Sequence, residues 1–169
     1  NDPETTKERY FEVIYRKTAK LFEAGGQLGA VVAKQPKEIE QAMISYGKHL
    51  GNAFQLIDDA LDYSASSEEM GKNAGDDLAE GKPTLPLIYA LENGNEAAQT
   101  LIRSAIENGG SDKFDEIMEA IHATDAIQYT KNAAKDSVKF AVNAAKILPE
   151  SKYREGLIAL AEFTLSRSS

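Results

Sequence analysis

The sequence contains no cysteine and only two histidines in 169 residues. The first absence excludes a disulfide framework and a thiolate metal site. It fits a reducing compartment, so the cytoplasm is the expected location. The two histidines, His49 and His122, lie far apart and have no metal-ligand spacing, so both read as structural or surface residues. No apolar run approaches the length of a membrane span. Basic charge is in deficit: 19 Lys and Arg face 27 Asp and Glu, a formal net charge of −8. No basic stripe offers itself to a duplex, which argues against nucleic acid, and an anionic membrane surface is equally disfavoured. Alternating Val/Ile/Thr runs are missing, so strands are not expected. There is no internal repeat and no low-complexity segment. The opening Asn1-Asp2-Pro3-Glu4 is not a signal peptide. It also lacks an initiator Met, and the chain is read as a fragment or a processed piece.

What remains is helix. The fold class expected is all-α, in one domain spanning 1–169. Thr5-Thr6-Lys7-Glu8 fits a capping box, and the periodic pattern after it continues to Lys34, with Val13, Ile14, Leu21 and Phe22 on its apolar side. Gly25 and Gly29 lie inside this helix at a conformational cost. Their spacing of four points to close packing by another helix. Pro36 restarts the chain, and a long helix follows from about Lys37 to Tyr63. Residues 64–83 form a long irregular stretch of the kind usually tied to function. Thr84 is placed to cap a short apolar helix, 85–92, that tolerates Pro86 in its first turn. Further helices are expected at 96–108, 112–123, 125–148 and 152–166, with Ser111 and Ser151 as caps.

The long helix carries Phe54-Gln55-Leu56-Ile57-Asp58-Asp59-Ala60-Leu61-Asp62-Tyr63. At about 100° per residue, with Gln55 at zero, Asp58 falls near −60°, Asp59 near +40° and Asp62 near −20°. Leu50, Phe54, Ile57, Ala60 and Leu61 fill the opposite side. Three close carboxylates raise one another's pKa unless a cation intervenes. Mg²⁺ suits such a place, because it takes oxygen ligands and prefers one or two carboxylates plus substrate phosphates. A merely solvated acidic face is the other reading of the same residues.

Lys72 and Lys82 follow in the irregular stretch, and a lysine meets phosphate as a flexible point charge. Gly81-Lys82-Pro83-Thr84 is not a phosphate loop. Gly75 precedes Gly81 by one residue too many, a proline splits Lys82 from Thr84, and the preceding strand is missing. No nucleophile sits beside a base. Acids, lysines and a divalent ion together suit phosphate chemistry, in which charge on a leaving diphosphate is neutralised electrostatically. An apolar cavity would hold a hydrocarbon and exclude water.

The segment from Gly51 to Tyr63 resembles the second aspartate-rich motif of the trans-prenyl diphosphate synthases. Gly71-Lys72-Asn73-Ala74-Gly75-Asp76-Asp77 through Leu87 extends the resemblance, as does Tyr15-Arg16-Lys17-Thr18-Ala19-Lys20-Leu21-Phe22. The closing stretch from Tyr153 to Arg167 is similar to long-chain bacterial members. The resemblance implies the C-terminal half of the helical bundle of isoprenoid synthases. The reaction implied is Mg²⁺-dependent condensation of isopentenyl diphosphate with an allylic prenyl diphosphate, giving a long product, octaprenyl in length, for a quinone side chain. By resemblance, Asp58 and Asp62 hold Mg²⁺ with Asp59 assisting. Lys17, Thr18 and Gln55 contact the allylic diphosphate, Lys72 and Lys82 reach its oxygens, and Phe54 lies near the hydrocarbon. Lys17, Gln55 and Asp58 are the expected catalytic residues.

The family's first aspartate-rich motif has no counterpart before Lys17. The chain alone is therefore expected not to turn over, and to expose apolar surface where other helices would pack. A full-length form is expected to be a homodimer. Two other readings remain: a non-catalytic subunit of a heteromeric synthase, and a plain helical module.

Overall fold

The computed structural model describes residues 1–64 and 75–166. Among these residues there is no strand, and the elements are helical throughout. Helix α1 (Lys7–Ile14) passes into a π turn (Tyr15–Ala19) and on into α2 (Lys20–Val32), so the single helix expected there contains an inserted wide turn. Helix α3 runs over Lys37–Asp62 and α4 over Asp76–Ala79. Then come α5 (Leu85–Asn93), α6 (Glu96–Asn108), a 3₁₀ turn (Ser111–Lys113), α7 (Phe114–Ala123), α8 (Ala126–Ala145) and α9 (Lys152–Ser166).

The caps differ from the sequence pattern in informative ways. Helix α1 starts one residue later than the capping box suggests. Thr6, not Thr5, accepts the Arg9 N–H, and the Thr5 hydroxyl donates to the Asp2 carbonyl. Thr84 occupies the N-cap position of α5, but its hydroxyl donates to the Tyr63 phenol rather than capping. Ser111 begins the 3₁₀ turn without capping it, whereas Ser151 accepts the Arg154 N–H as expected. Asn95 caps α6 by accepting the Ala98 N–H. Its side chain competes well for a free backbone donor, the property that favours Asn at this position.

The chain divides into two units. One comprises residues 1–10 and 58–131, and its core joins Leu78, Leu87, Ala90, Ile102, Ile106, Ile117, Ile121 and Tyr63. Helices α5, α6 and α7 pack on one another there. The other comprises residues 11–57 and 132–169. Its core is rich in small side chains, with Ala53, Ala141, Ala144, Ala145 and Ala161 around Tyr46 and Leu50. Alanines let helices approach closely while still removing apolar area from water. The Tyr46 phenol, inside this core, donates to the Leu157 carbonyl at 2.8 Å.

Close packing of α2 on α3 comes from glycines other than those the spacing suggested. A Cβ at Gly25 or Gly29 would meet nothing within 4 Å. At Gly51 it would stand 2.5 Å from the Ala19 Cα and 2.9 Å from its Cβ, and at Gly26 2.3 Å from the Met43 carbonyl oxygen. The open side of this rod is apolar: Leu21 and Val32 are each 79% exposed, and Val13, Leu28 and Val31 are exposed too. Apolar side chains are therefore exposed along it.

Gly51→Ala must displace backbone, and is expected to lower the unfolding free energy by about 1–3 kcal/mol. Gly25→Ala gains helix propensity without a clash, and is expected to leave stability unchanged or raise it by up to about 1 kcal/mol. Urea unfolding of both variants checks the contrast, and equal losses would contradict it.

Candidate functional site

The C-terminal end of α3 concentrates negative charge where a helix tolerates it least. The last backbone carbonyls of a helix carry partial negative charge. Asp58, Asp59 and Asp62 lie in its last turns, and the last turn contains no basic residue. Such a placement is unfavourable unless other groups compensate, and the three acids are compensated differently.

Asp59 is turned inward. It is 2% exposed, and its Oδ2 accepts the Tyr10 phenol O–H at 2.5 Å. Tyr10 is itself 4% exposed. Burial, with the Asp59 carboxylate beside it, holds the Tyr10 phenol well above its ordinary value, so it remains a proton donor. Asp58 and Asp62 remain partly exposed. The arc of three acids thus splits into two outward carboxylates and one that packs against α1.

Asp62 faces α4. Gly75, at φ +84°, occupies the left-handed region that suits glycine. Its N–H donates to the Asp62 carbonyl, and the Asp77 N–H donates to Asp62 Oδ2 at 3.2 Å. A side chain at Gly75 would also collide with the Phe114 ring. Burial pushes the Asp62 carboxyl up to about 6, and the negative charges of Asp77 and Asp76 push the same way against those backbone donors. Asp77 in turn accepts Lys82 Nζ at 2.9 Å, and Glu80 accepts the same ammonium at 2.6 Å. These bonds to Glu80 and Asp77 raise the Lys82 pKa, so this lysine stays charged but is engaged by two carboxylates. Lys72 lies outside the described residues.

Lys17 and Thr18 sit on the π turn. A π turn carries one more residue than an α turn and re-aims the side chains that follow it; such turns often occur at functional sites. Gly51 permits the close approach of Ala19, and Thr18 next to it donates its hydroxyl to Gln55 Oε1 at 2.9 Å. That bond orients the Gln55 amide with its oxygen toward Thr18. Lys17 is exposed and makes no ion pair among the described residues. The turn is spanned by Tyr15, which donates to Glu23 Oε2 at 2.9 Å. Lys20 donates to both. Phe54 packs on Phe22 with ring centroids 5.9 Å apart.

His49 stacks on Phe140 at 5.0 Å, its pKa lowered by burial and by Lys48, in agreement with a structural role. His122 is exposed. Among the described residues no group of three or more Asp, Glu or His side chains is placed to hold an ion unaided. The outward donors are carboxylate oxygens, with no thiolate available. That chemistry fits a hard divalent ion that completes its shell with water and phosphate oxygens. Sequence reasoning passed over Tyr10 and Asp77. Asp77 lies inside the motif-bearing stretch, but only the fold reveals its contact with Asp62. Tyr10 pairs with a residue 49 positions away, and nothing local in the sequence signals that.

The polyprenyl synthetase family pattern matches residues 1–124. The chain belongs to the polyprenyl synthetase family. The octaprenyl diphosphate synthase of Haemophilus influenzae is 50% identical, the match covering 99% of this chain and 51% of that protein. That of Escherichia coli is 45% identical, covering 99% of this chain and 52% of that protein. A polyprenyl synthase from Caulobacter crescentus, crystallised with calcium and isoprenyl diphosphate, has a TM-score of 0.91 at 38% identity, covering 99% of this chain and 52% of its own. The chain thus spans about half the length of the relatives it matches, and its described residues have the all-helical fold that its motifs imply.

The raised carboxyl of Asp62 has a pH signature. Its folded-state pKa of about 6 lies above the ordinary 3.8. The folded chain holds that proton more tightly, so Asp62 favours folding most at about pH 4 and below, and loses this contribution as pH rises through about 6. In metal-free buffer Asp62→Asn is expected to be more stable than the wild type at neutral pH by on the order of 1 kcal/mol, allowing for solvent screening. The gap is expected to close toward pH 4. Denaturant titrations of both proteins across this range check it, and a pH-independent gap would contradict it.

Proposed function

We propose that this chain carries one metal-bearing half of a long-chain trans-prenyl diphosphate synthase. In this reading Asp58 and Asp62 hold Mg²⁺, while Lys17, Thr18, Gln55, Lys72 and Lys82 address an allylic prenyl diphosphate, which isopentenyl diphosphate extends. The observation that carries it is the compensation pattern on α3: two outward carboxylates, one of them pushed up to about 6 by burial and by neighbouring acids. A carboxyl in that state gains from a divalent cation what its own surroundings withhold. The octaprenyl diphosphate synthases among the relatives support octaprenyl as the product.

The bound ion would supply neutralisation of the diphosphate as the allylic carbon–oxygen bond breaks. The chain's residues supply position and charge. Thr18 fixes the Gln55 amide by its hydrogen bond, which leaves the amide nitrogen as the end suited to an oxygen that only accepts. Since the Thr18 proton is already committed to Gln55, Thr18 acts first by orienting that amide. Lys17 brings a charge not engaged in an ion pair among the described residues. Lys82 must exchange Glu80 and Asp77 for a phosphate oxygen. Leaving Glu80 costs little, since that pair is exposed and surface ion pairs contribute only about 0–1 kcal/mol, whereas Asp77 is partly buried and holds the ammonium more firmly. The family's first aspartate-rich motif, without a counterpart in these 169 residues, completes the reaction in this reading, so the chain alone binds without elongating. The cytoplasm and a homodimeric full-length form belong to the same reading.

Joined to the remaining half of the Haemophilus influenzae synthase, the chain is expected to extend an allylic diphosphate with isopentenyl diphosphate in a Mg²⁺-dependent manner. Asp58→Ala and Asp62→Ala in that chimera are each expected to lower kcat/KM by roughly a hundredfold or more. Radiolabelled isopentenyl diphosphate incorporation measures both. A folded chimera without activity, or Asp→Ala variants with full activity, would refute the assignment. Elongation by the unjoined chain would refute the division of labour.

A further inference from the structure

The middle acid of the motif behaves unlike its neighbours, and its partner is the tyrosine on α1. Asp59 and Tyr10 are both almost wholly inaccessible, at 2% and 4% exposure, and joined by a 2.5 Å hydrogen bond. That distance is at the short end of the range for an O–H donor to a carboxylate, the charge-assisted kind roughly twice as strong as a neutral bond. Burying a carboxylate without such a donor is strongly unfavourable. Asp59 is adjacent in sequence to Asp58 and three residues from Asp62, so its rotation about α3 sets theirs.

We propose that Tyr10 is a positioning residue for the metal-binding end of α3. By holding Asp59 inward it withdraws the middle carboxylate from the ion and fixes the helix rotation that presents Asp58 and Asp62. Three outward carboxylates would place three negative charges around one dication. Two match the ligand count Mg²⁺ takes when phosphate and water complete its shell. The inference rests on the reading that Asp58 and Asp62 hold the ion, and it assigns Asp59 a supporting contact in place of a ligand bond. Outer contacts of this kind tune metal affinity by 10–100-fold in other sites.

The test measures Mn²⁺ binding by electron paramagnetic resonance, with inorganic diphosphate present, on the wild-type chain and four variants. Asp59→Asn keeps an oxygen that can accept the Tyr10 proton, and is expected to bind within about threefold of the wild type. Tyr10→Phe keeps the ring but removes the donor, and is expected to bind at least about tenfold more weakly. Asp58→Ala and Asp62→Ala are the controls for the ion site, and melting temperatures establish that each variant is folded. Loss of binding in folded Asp59→Asn would make Asp59 a ligand and overturn the proposal. Unchanged binding in Tyr10→Phe would overturn it equally. If Tyr10→Phe does not fold, the Asp59→Asn arm decides. Failure of the underlying reading looks different: the wild type binds no Mn²⁺–diphosphate, or binds it regardless of Asp58 and Asp62, and the proposal falls with it.

Discussion

Negative charge at the end of α3 is the constraint around which the site is arranged. Three aspartates occupy the last turns of a helix whose terminal carbonyls already point the same sign of charge outward. Protein groups settle part of this. The Tyr10 phenol donates to Asp59, and backbone N–H groups from residues 76 and 77 act on Asp62. The settlement is incomplete, because the loop that brings those donors also brings Asp76 and Asp77. In the proposed reading a divalent ion makes up the shortfall.

Much of this was legible in the sequence because helices announce themselves locally. The 3.6-residue period placed α3 and α6 to within a residue, and the phase of α3 put Asp58 and Asp62 on one stripe. Non-local contacts were not legible. Gly25 and Gly29 had the spacing of a packing motif, yet the close approaches fall at Gly26, Gly47 and Gly51. Spacing gives the face of a helix, but only the neighbour's position says which face is covered. Thr84 and Thr5 had the chemistry of caps, but other partners stood within reach of their hydroxyls. Asp59 is buried and meets Tyr10 from 49 positions away, and an angle of about +40° on a helical wheel cannot tell an edge that meets solvent from one that meets a helix.

The π turn shows a different limit. An unbroken amphipathic pattern runs through Tyr15–Ala19, so the sequence reads as plain α-helix. The extra residue alters which way Lys17 and Thr18 point without altering the composition of the stretch. Its stability comes from contacts that span the turn: Tyr15 and Lys20 on Glu23, and the fit of Ala19 against Gly51. Glu23 is buried, and its carboxyl is held below the ordinary range by Lys20 and Tyr15 against the effect of burial. Wide turns persist where side chains over-determine them, and this one coincides with the lysine and threonine that the family resemblance assigns to diphosphate.

In the proposed reading, the distribution of positive charge makes acids matter more than lysines. A diphosphate carries several negative charges, and the chain as a whole is at −8. Lys82 is shared between Asp77 and Glu80, so moving it to a ligand exposes those two acids in turn, and the net gain is smaller than one charge. Lys17 lies on an exposed turn, where water screens it. Neither lysine offsets a leaving diphosphate by itself. In the proposed reading the carboxylates of α3 do so indirectly, by recruiting a dication whose charge exceeds that of any side chain. In that reading the acidic end of α3 would be the chain's means of binding an anion, and its negative charge would serve the proposed function instead of opposing it.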